Sequence, residues 1–429
     1  MTQSDGTHNE SDAGHMVNGH MVTVDGKPLK ASLKRAERKR TLVAFLLVAP
    51  LLTYLLISFI TPIAQMMWRS VDNPQVHSTL PKTLEALEDW DGEGIPDEPV
   101  FAALAEDLAI ADANRTVGQL AVRLNYEISA ARGALMRTSR SVEDMEPPYK
   151  EDFLEAHRLW NDPAFYRIIK REGRPLTASY YVAAFDGTYN EQGEIVLQDK
   201  NRRIYTDLFI RTFAMSLGIT LITLLLGFPI SFLMASLPMR KANLLMIFVL
   251  LPFWTSLLVR TTSWIVLLQQ QGIINELLIL VGLIDDDGRL GMIYNMTGTV
   301  IAMTHILLPF MVLPLYSVMK TIPPSYVRAA KSLGATPWTA FWRIYVPQTL
   351  PGIGAGAVLV FIISIGYYIT PALVGGQSGQ MISNLIAHHM QTSLNWGLAA
   401  ALGSVLLVSV LILYWVYNRL VGADTLKLG

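Results

Sequence analysis

The stretch Pro323-Pro324-Ser325-Tyr326-Val327-Arg328-Ala329-Ala330-Lys331-Ser332-Leu333-Gly334-Ala335-Thr336-Pro337-Trp338, running on to Ile344-Tyr345-Val346-Pro347, reads as two short helices joined by a hinge. Pro323 and Pro324 suit a helix start, Gly334 suits the left-handed turn just past a helix end, and Thr336-Pro337 is a cap followed by proline at the first helical position. A helix of about ten residues does not persist alone in water, so something must dock against it. Ala329 and Ala330 leave a face that another protein can approach closely, while Tyr326, Val327 and Leu333 can fill a groove. The second helix, Pro337 to Val346, carries Trp338, Phe341, Trp342 and Tyr345, a bulky belt suited to a membrane interface. From these residues alone two readings stay open: a docking element for a partner, or an amphipathic hairpin lying on the lipid surface.

Outward from this hairpin the chain is a membrane protein. Of its 429 residues 51% are hydrophobic and only 16% charged, more apolar surface than a soluble core of that size needs. Six segments are long and apolar enough to span a bilayer, roughly 41–68, 208–237, 243–268, 292–319, 352–374 and 397–421. Lys34, Arg35, Arg38, Lys39 and Arg40 precede the first, as they would a signal peptide, but a 40-residue leader and a long apolar run predict a retained anchor.

Lys and Arg set the expected orientation, because short basic loops stay in the cytoplasm. The leader 1–40, read as a disordered tail followed by a basic flank, holds seven of them. The 238–242 loop holds Arg240 and Lys241, and the 320–350 loop holds Lys320, Arg328, Lys331 and Arg343. The alternate connections are poor in Lys and Arg: Gln269 to Gly291 has only Arg289, against Glu276, Asp285, Asp286 and Asp287, and Gly375 to Trp396 has none. Both termini, including the tail 422–429, are therefore expected in the cytoplasm with the hairpin. Trp254, Trp264 and Trp396 are candidate interfacial anchors.

Between the first span and the core of 207–421 lies an insertion, 72–206, expected outside the cytoplasm. It holds 24 of the 35 acidic residues. Helical spacing of apolar residues runs over 99–113 and 117–135, and Ser179 to Ala184 reads as a short strand. It has no catalytic or metal motif, and packing on the membrane part or on a partner is its expected role. The chain has no cysteine, which excludes disulfides and thiolate chemistry. Neither His8, His15 and His20 nor the adjacent His388 and His389 make a convincing metal site.

With these residues in view, the order Ala329-Ala330, three residues, Gly334, nine residues, Ile344-x-x-Pro347 resembles the signature of permeases in binding-protein-dependent ABC importers, Glu-Ala-Ala, three residues, Gly, nine residues, Ile-x-Leu-Pro. Arg328 replaces the usual Glu and Val346 the usual Leu. The first departure reverses a charge. Leu251-Pro252-Phe253-Trp254-Thr255-Ser256 with Val259-Arg260-Thr261, and Ile369-Thr370-Pro371-Ala372-Leu373-Val374-Gly375-Gly376, are similar to the spermidine/putrescine permease group.

The resemblance implies an all-α integral membrane fold of the type I importer class in the bacterial inner membrane. It implies a second permease subunit, expected to be a paralogue, two ATPase subunits that grip a coupling helix and use ATP and Mg, and a periplasmic solute-binding protein. Arg328, Ala329, Ala330, Leu333, Gly334, Ile344 and Pro347 become candidate ATPase-coupling residues. No cofactor is expected on this chain, and no nucleic acid among its partners.

Apart from Asp207 at an outer edge, no Asp or Glu falls within the six spans. A polyamine would then be weakly held, with Trp254, His305, Tyr367, Tyr368 and Thr370 as candidate pathway residues. Ordinary packing is the competing reading of each aromatic. Arg260 is expected to snorkel to the outer interface and His305 to bond a neighbouring helix. Gly352, Gly354 and Gly356 suggest close helix packing. The main rival, an ion-coupled secondary transporter, lacks its embedded carboxylates. A non-polyamine solute such as an opine, an amino-acid derivative or an inorganic ion remains open for the importer reading. No His-Glu-x-x-His or phosphate loop supports an enzyme.

Overall fold

In lipid every backbone N–H and C=O must find its partner within the protein, which makes helices the default for long apolar segments. The computed structural model describes residues 15–17, 20–22, 29–190 and 192–421. Among them six helical stretches are long and apolar enough to cross a membrane.

The first helix runs Leu29–Leu55, widens into a π turn at Leu56–Ile60 and continues as Thr61–Arg69. The turn comes just before Pro62, whose ring and missing N–H disrupt the regular ladder. Thr61 Oγ1 donates to the Leu56 carbonyl at 3.0 Å. The leader expected to be disordered instead pairs His15–Val17 with His20–Val22 as antiparallel strands and turns helical from Leu29. The rest of that leader, with His8, and the tail 422–429 lie outside the described residues.

The membrane core is organised on the fourth span, Met296–Thr321, which packs against the second, Tyr205–Ser236, and the fifth, Val346–Gly366. Met303, Leu307, Met311 and Leu315 are fully buried in their shared core with Ile219 and Val360. The fifth span approaches through Gly352 and Gly356. A Cβ at Gly356 would stand 2.8 Å from Met311 Sδ, and one at Gly352 would stand 3.0 Å from Val318 Cβ. The sixth span is Trp396–Val421.

Two spans expected to be continuous are broken. The third divides into Met239–Trp254 and Leu257–Leu268, with Thr255 and Ser256 extended between them. The fifth stops at Gly366 and resumes as the short helix Ile369–Val374. Its start also differs from expectation, since the hairpin's second helix runs into the span without a gap, from Pro337 through a π turn at Phe341–Tyr345. Apolar periodicity cannot register such interruptions, because hydropathy is the same on either side of them.

The insertion has a core of its own. Phe101, Phe153, Trp160, Phe165 and Tyr166 form a buried cluster of tilted and edge-to-face rings. Trp160 Nε1 donates to Thr138 Oγ1 at 2.9 Å and Tyr166 OH to the Trp160 carbonyl at 2.7 Å, so both polar tips are paired. The periodic run 99–113 is the helix Glu98–Ala113, but 117–135 is interrupted: Val117–Asn125 ends and Ala131–Ser141 begins after Ala130 at φ 77°. Residues Ser179–Ala184 form a helix, not the expected strand. Their β-favouring Tyr-Tyr-Val sequence yields to tertiary packing, because Tyr180 and Ala184 bury against Phe209, Ile382, Leu398 and Leu402. The strands of this region are Gly187–Tyr189 and Ile195–Leu197.

Polar groups tie insertion to core. Tyr181 OH lies 2.8 Å from both Ser70 Oγ and Ser404 Oγ. The Asp186 carboxylate accepts from the backbone N–H of Ile204, Tyr205 and Thr206, the open N-terminal end of the second span, at 2.7–3.0 Å. Burial alone would raise its pKa, but these bonds outweigh that and lower it.

Deeper in the insertion, Arg123 pairs with Glu172, with Glu127 at 2.8 Å and with Asn73 Oδ1 at 2.8 Å, and Ser179 Oγ donates to Glu172 at 2.6 Å. Burial pushes the Glu172 carboxyl up, but Arg123, Ser179 and Arg171 outweigh it and hold it below the usual glutamate range. The stabilisation is therefore complete above the unfolded glutamate pKa and is lost as pH falls through the folded value. Glu172→Ala, which strands the Arg123 charge, is expected to destabilise by about 3–5 kcal/mol. A thermal melt in detergent should show a large drop for the variant and progressive loss for the wild type on acidification; melting unchanged by Glu172→Ala would refute the role.

Candidate coupling surface and interrupted spans

The hairpin's first helix is Pro324–Ser332, and none of its residues is buried. Its end is closed twice: Ala335 N–H donates to the Ala330 carbonyl and Gly334 N–H to the Lys331 carbonyl, each at 3.0 Å. With Gly334 at φ 88°, this is a Schellman closure. A Cβ on Gly334 would meet nothing within 4 Å, so the left-handed backbone and not lack of space calls for glycine. Thr336 Oγ1 then accepts from Thr339 N–H at 3.2 Å and starts the next helix at Pro337.

The candidate residues divide between two faces. Tyr326, Ala329 and Leu333 are exposed outward, Leu333 at 89%. Val327, Arg328 and Lys331 line a cleft of about 480 Å³ beneath the helix, whose other walls include Phe232, Met319, Ile322, Phe341 and Tyr345. Arg328, itself exposed, borders the cleft and makes no ion pair among the described residues. Phe341 and Tyr345 anchor the hairpin to the second span, their rings 5.5 and 5.2 Å from Phe232. Ile344 is half-buried in the π turn and accepts from Gln348 Nε2 at 2.7 Å, and Pro347 follows directly.

The interrupted spans bring together part of the candidate pathway set. Thr370, fully buried, lies with its Oγ1 3.4 Å from Thr261 Oγ1 on the third span. One turn on, Trp264 Nε1 donates to His305 Nδ1 at 3.2 Å, the interhelical bond expected of that histidine. Tyr367 packs against the fourth-span core, and its carbonyl accepts from Ser383 Oγ at 2.8 Å. The Tyr368 carbonyl accepts from Asn384 Nδ2 at 2.7 Å. Trp254 stands apart, 70% exposed and with no ring partner among the described residues. His389 is taken up by Tyr205 OH at 3.2 Å and Ser393 Oγ at 2.9 Å; burial and then His388 push its pKa down to about 4.

Arg260 has a partner on its own span that the sequence did not announce. It folds back on the break, donating through Nη2 to the Thr255 carbonyl at 2.9 Å, while Ser256 Oγ caps Leu257–Leu268 by accepting from Val259 N–H at 3.2 Å. The legible signal was Thr-Ser ahead of a fresh apolar run, a helix start inside a span.

Residues 227–422 match the family described as binding-protein-dependent transport system inner membrane component. The spermidine/putrescine transport system permease protein PotB of Salmonella typhimurium (strain SL1344) is 34% identical over 220 residues, covering 51% of this chain and 76% of that protein. PotB of Escherichia coli (strain K12) is also 34% identical, with 79% of it covered. Among solved structures, a bacterial alginate ABC transporter in complex with its alginate-bound periplasmic protein aligns with TM-score 0.39 and 20% identity, over 52% of this chain and 81% of that one. The chain belongs to the binding-protein-dependent permease family: it is a multi-pass inner-membrane subunit of an ABC importer, similar to the polyamine permeases. It is a transport subunit, not an enzyme.

Removing the Arg260 guanidinium leaves the Thr255 carbonyl without that donor. Arg260→Leu is expected to destabilise by about 1–3 kcal/mol, read as a lower melting temperature in detergent, with Arg260→Lys intermediate. Equal melting of the leucine variant and wild type would show that the break holds without this bond.

Proposed function

We propose that Pro324–Ser332 is the coupling helix through which ATPase subunits drive this permease, and that the transported solute is a polyamine. The carrying observation is the exposed face of Tyr326, Ala329 and Leu333 on a helix closed by Gly334 and seated on Phe232 through Phe341 and Tyr345. A push on that face reaches the second span through edge-to-face ring contacts with Phe232 and reaches the fifth span directly, because Pro337 to Gly366 is one helical run. Ala329, Ala330 and Leu333 make the contact in this reading, and Gly334, Ile344 and Pro347 hold the hinge.

The charge distribution supports termini and hairpin in the cytoplasm and the 72–206 insertion on the opposite side. A second permease subunit completes the pathway, a periplasmic binding protein delivers the solute, and ATP and Mg are used by the ATPases. The PotB similarity favours a polyamine, released from the binding protein and passed by Tyr367, Tyr368 and Thr370 with His305 nearby. One observation favours a second reading, an anionic solute: the Arg260 guanidinium lies beside the break in the third span.

In proteoliposomes carrying the complete importer, Gly334→Val is expected to abolish ATP-driven uptake while membrane insertion persists, because valine resists the left-handed backbone. Full uptake by that variant would sink the coupling assignment. Radiolabelled putrescine, spermidine and sulfate in the same vesicles separate the two solute readings; uptake of sulfate alone would overturn the polyamine.

A further inference from the structure

The face of the coupling helix turned away from the exposed apolar residues has a chemistry of its own. Val327, Arg328 and Lys331 border a cleft whose walls are the ends of the second and fourth spans, Phe232, Ala235, Ser236, Met319 and Ile322, and the hinge rings Phe341 and Tyr345. The cleft therefore lies where two spans end, at the boundary of the bilayer. Its floor is apolar and its rim is cationic.

Neither Arg328 nor Lys331 donates a side-chain hydrogen bond or forms an ion pair with any described residue. No carboxylate is close by in sequence, since 320–350 holds Lys320, Arg328, Lys331 and Arg343 with no Asp or Glu, and the neighbouring 238–242 loop adds Arg240 and Lys241. The carbonyl ends of the two span helices favour positive charge there, but they leave the guanidinium and ammonium donors unused. Trp338 and Trp342, 72% and 51% exposed with rings 5.6 Å apart, stand in the same hairpin as interfacial residues.

We propose that this cleft binds the headgroup of an anionic phospholipid of the cytoplasmic leaflet. Arg328 and Lys331 hold the phosphate, and the first acyl carbons lie against Phe232, Met319 and Phe341. A guanidinium presents a planar fork of donors matched to phosphate oxygens, and an ammonium adds a second point charge. The lipid fills the space between coupling helix and spans, so the hairpin is seated on lipid on one side while its outward face stays free for the ATPase. The leaflet assignment rests on the cytoplasmic placement of the hairpin proposed above. The charge reversal at Arg328 then serves the membrane instead of the ATPase.

The test uses the purified full chain without ATPase, so its failure is separate from failure of the coupling assignment, which is read by uptake in Gly334→Val. Native mass spectrometry during titration with dioleoylphosphatidylglycerol or dioleoylphosphatidylcholine is expected to show preferential retention of one phosphatidylglycerol. The double variant R328Q/K331Q should weaken it roughly thirtyfold, the effect of two interfacial cations, whereas R240Q/K241Q should not. Equal retention of the two lipids by the wild type would overturn the proposal, and this comparison stands even if R328Q/K331Q folds poorly. A folded R328Q/K331Q that retains phosphatidylglycerol like wild type would also overturn it. Displacement of the lipid by equimolar inorganic phosphate would assign the cleft to a free anion, and displacement by the cognate ATPase would assign it to that protein's carboxylates; either result overturns the lipid.

Discussion

The architecture of this permease depends on one requirement, that backbone polar groups inside the bilayer be paired by the protein itself. Most of the core meets it with uninterrupted helix. The third and fifth spans do not, and at both breaks side chains make up the deficit. Arg260 and Ser256 serve the third, while Ser383 and Asn384 reach the carbonyls of Tyr367 and Tyr368 in the fifth. The two breaks meet near Thr261 and Thr370. The tightly packed fourth span gives both breaks a fixed reference.

The insertion is built on different physics. It is rich in charge, and its cohesion comes from an aromatic core together with a buried ionic network around Arg123 and Glu172. Such a network contributes less net stability than its short contacts suggest, because both charges are desolvated, yet losing one partner is costly. Its junction with the core is specific. Asp186 caps the second span, Tyr181 bridges Ser70 and Ser404, and Tyr180 lies in the apolar seam with the sixth span.

The hairpin shows how a local motif and a tertiary setting divide the work. Gly334 and the Thr336-Pro337 pair were readable because φ above zero and helix initiation are properties of a few adjacent residues. The division of the helix into an outward face and a cleft face was not readable. It follows from Phe341 and Tyr345 packing edge-to-face on Phe232, more than a hundred residues earlier, a contact that leaves Arg328 bordering the cleft. Likewise His305 was placed correctly as an interhelical donor or acceptor, while its partner Trp264 had been read only as an interfacial anchor. The misreading of Ser179–Ala184 has the same origin, since Tyr180 and Ala184 find part of their burial on Leu398 and Leu402, more than two hundred positions away.

Composition and short-range order carry the membrane class, the apolar spans, the acidic insertion, and the Ala-Ala-x-x-x-Gly hinge that marks the permease family. Hydropathy and backbone preference act over a few residues, and a single chain displays them openly. Only the packing of the helices settles where the third and fifth spans break, which face of the helix Pro324–Ser332 looks outward, and that Arg260 stays beside Thr255 at the break. Each of those depends on whether a distant side chain can pair a backbone group or fill a gap, and that information exists only once the helices have packed.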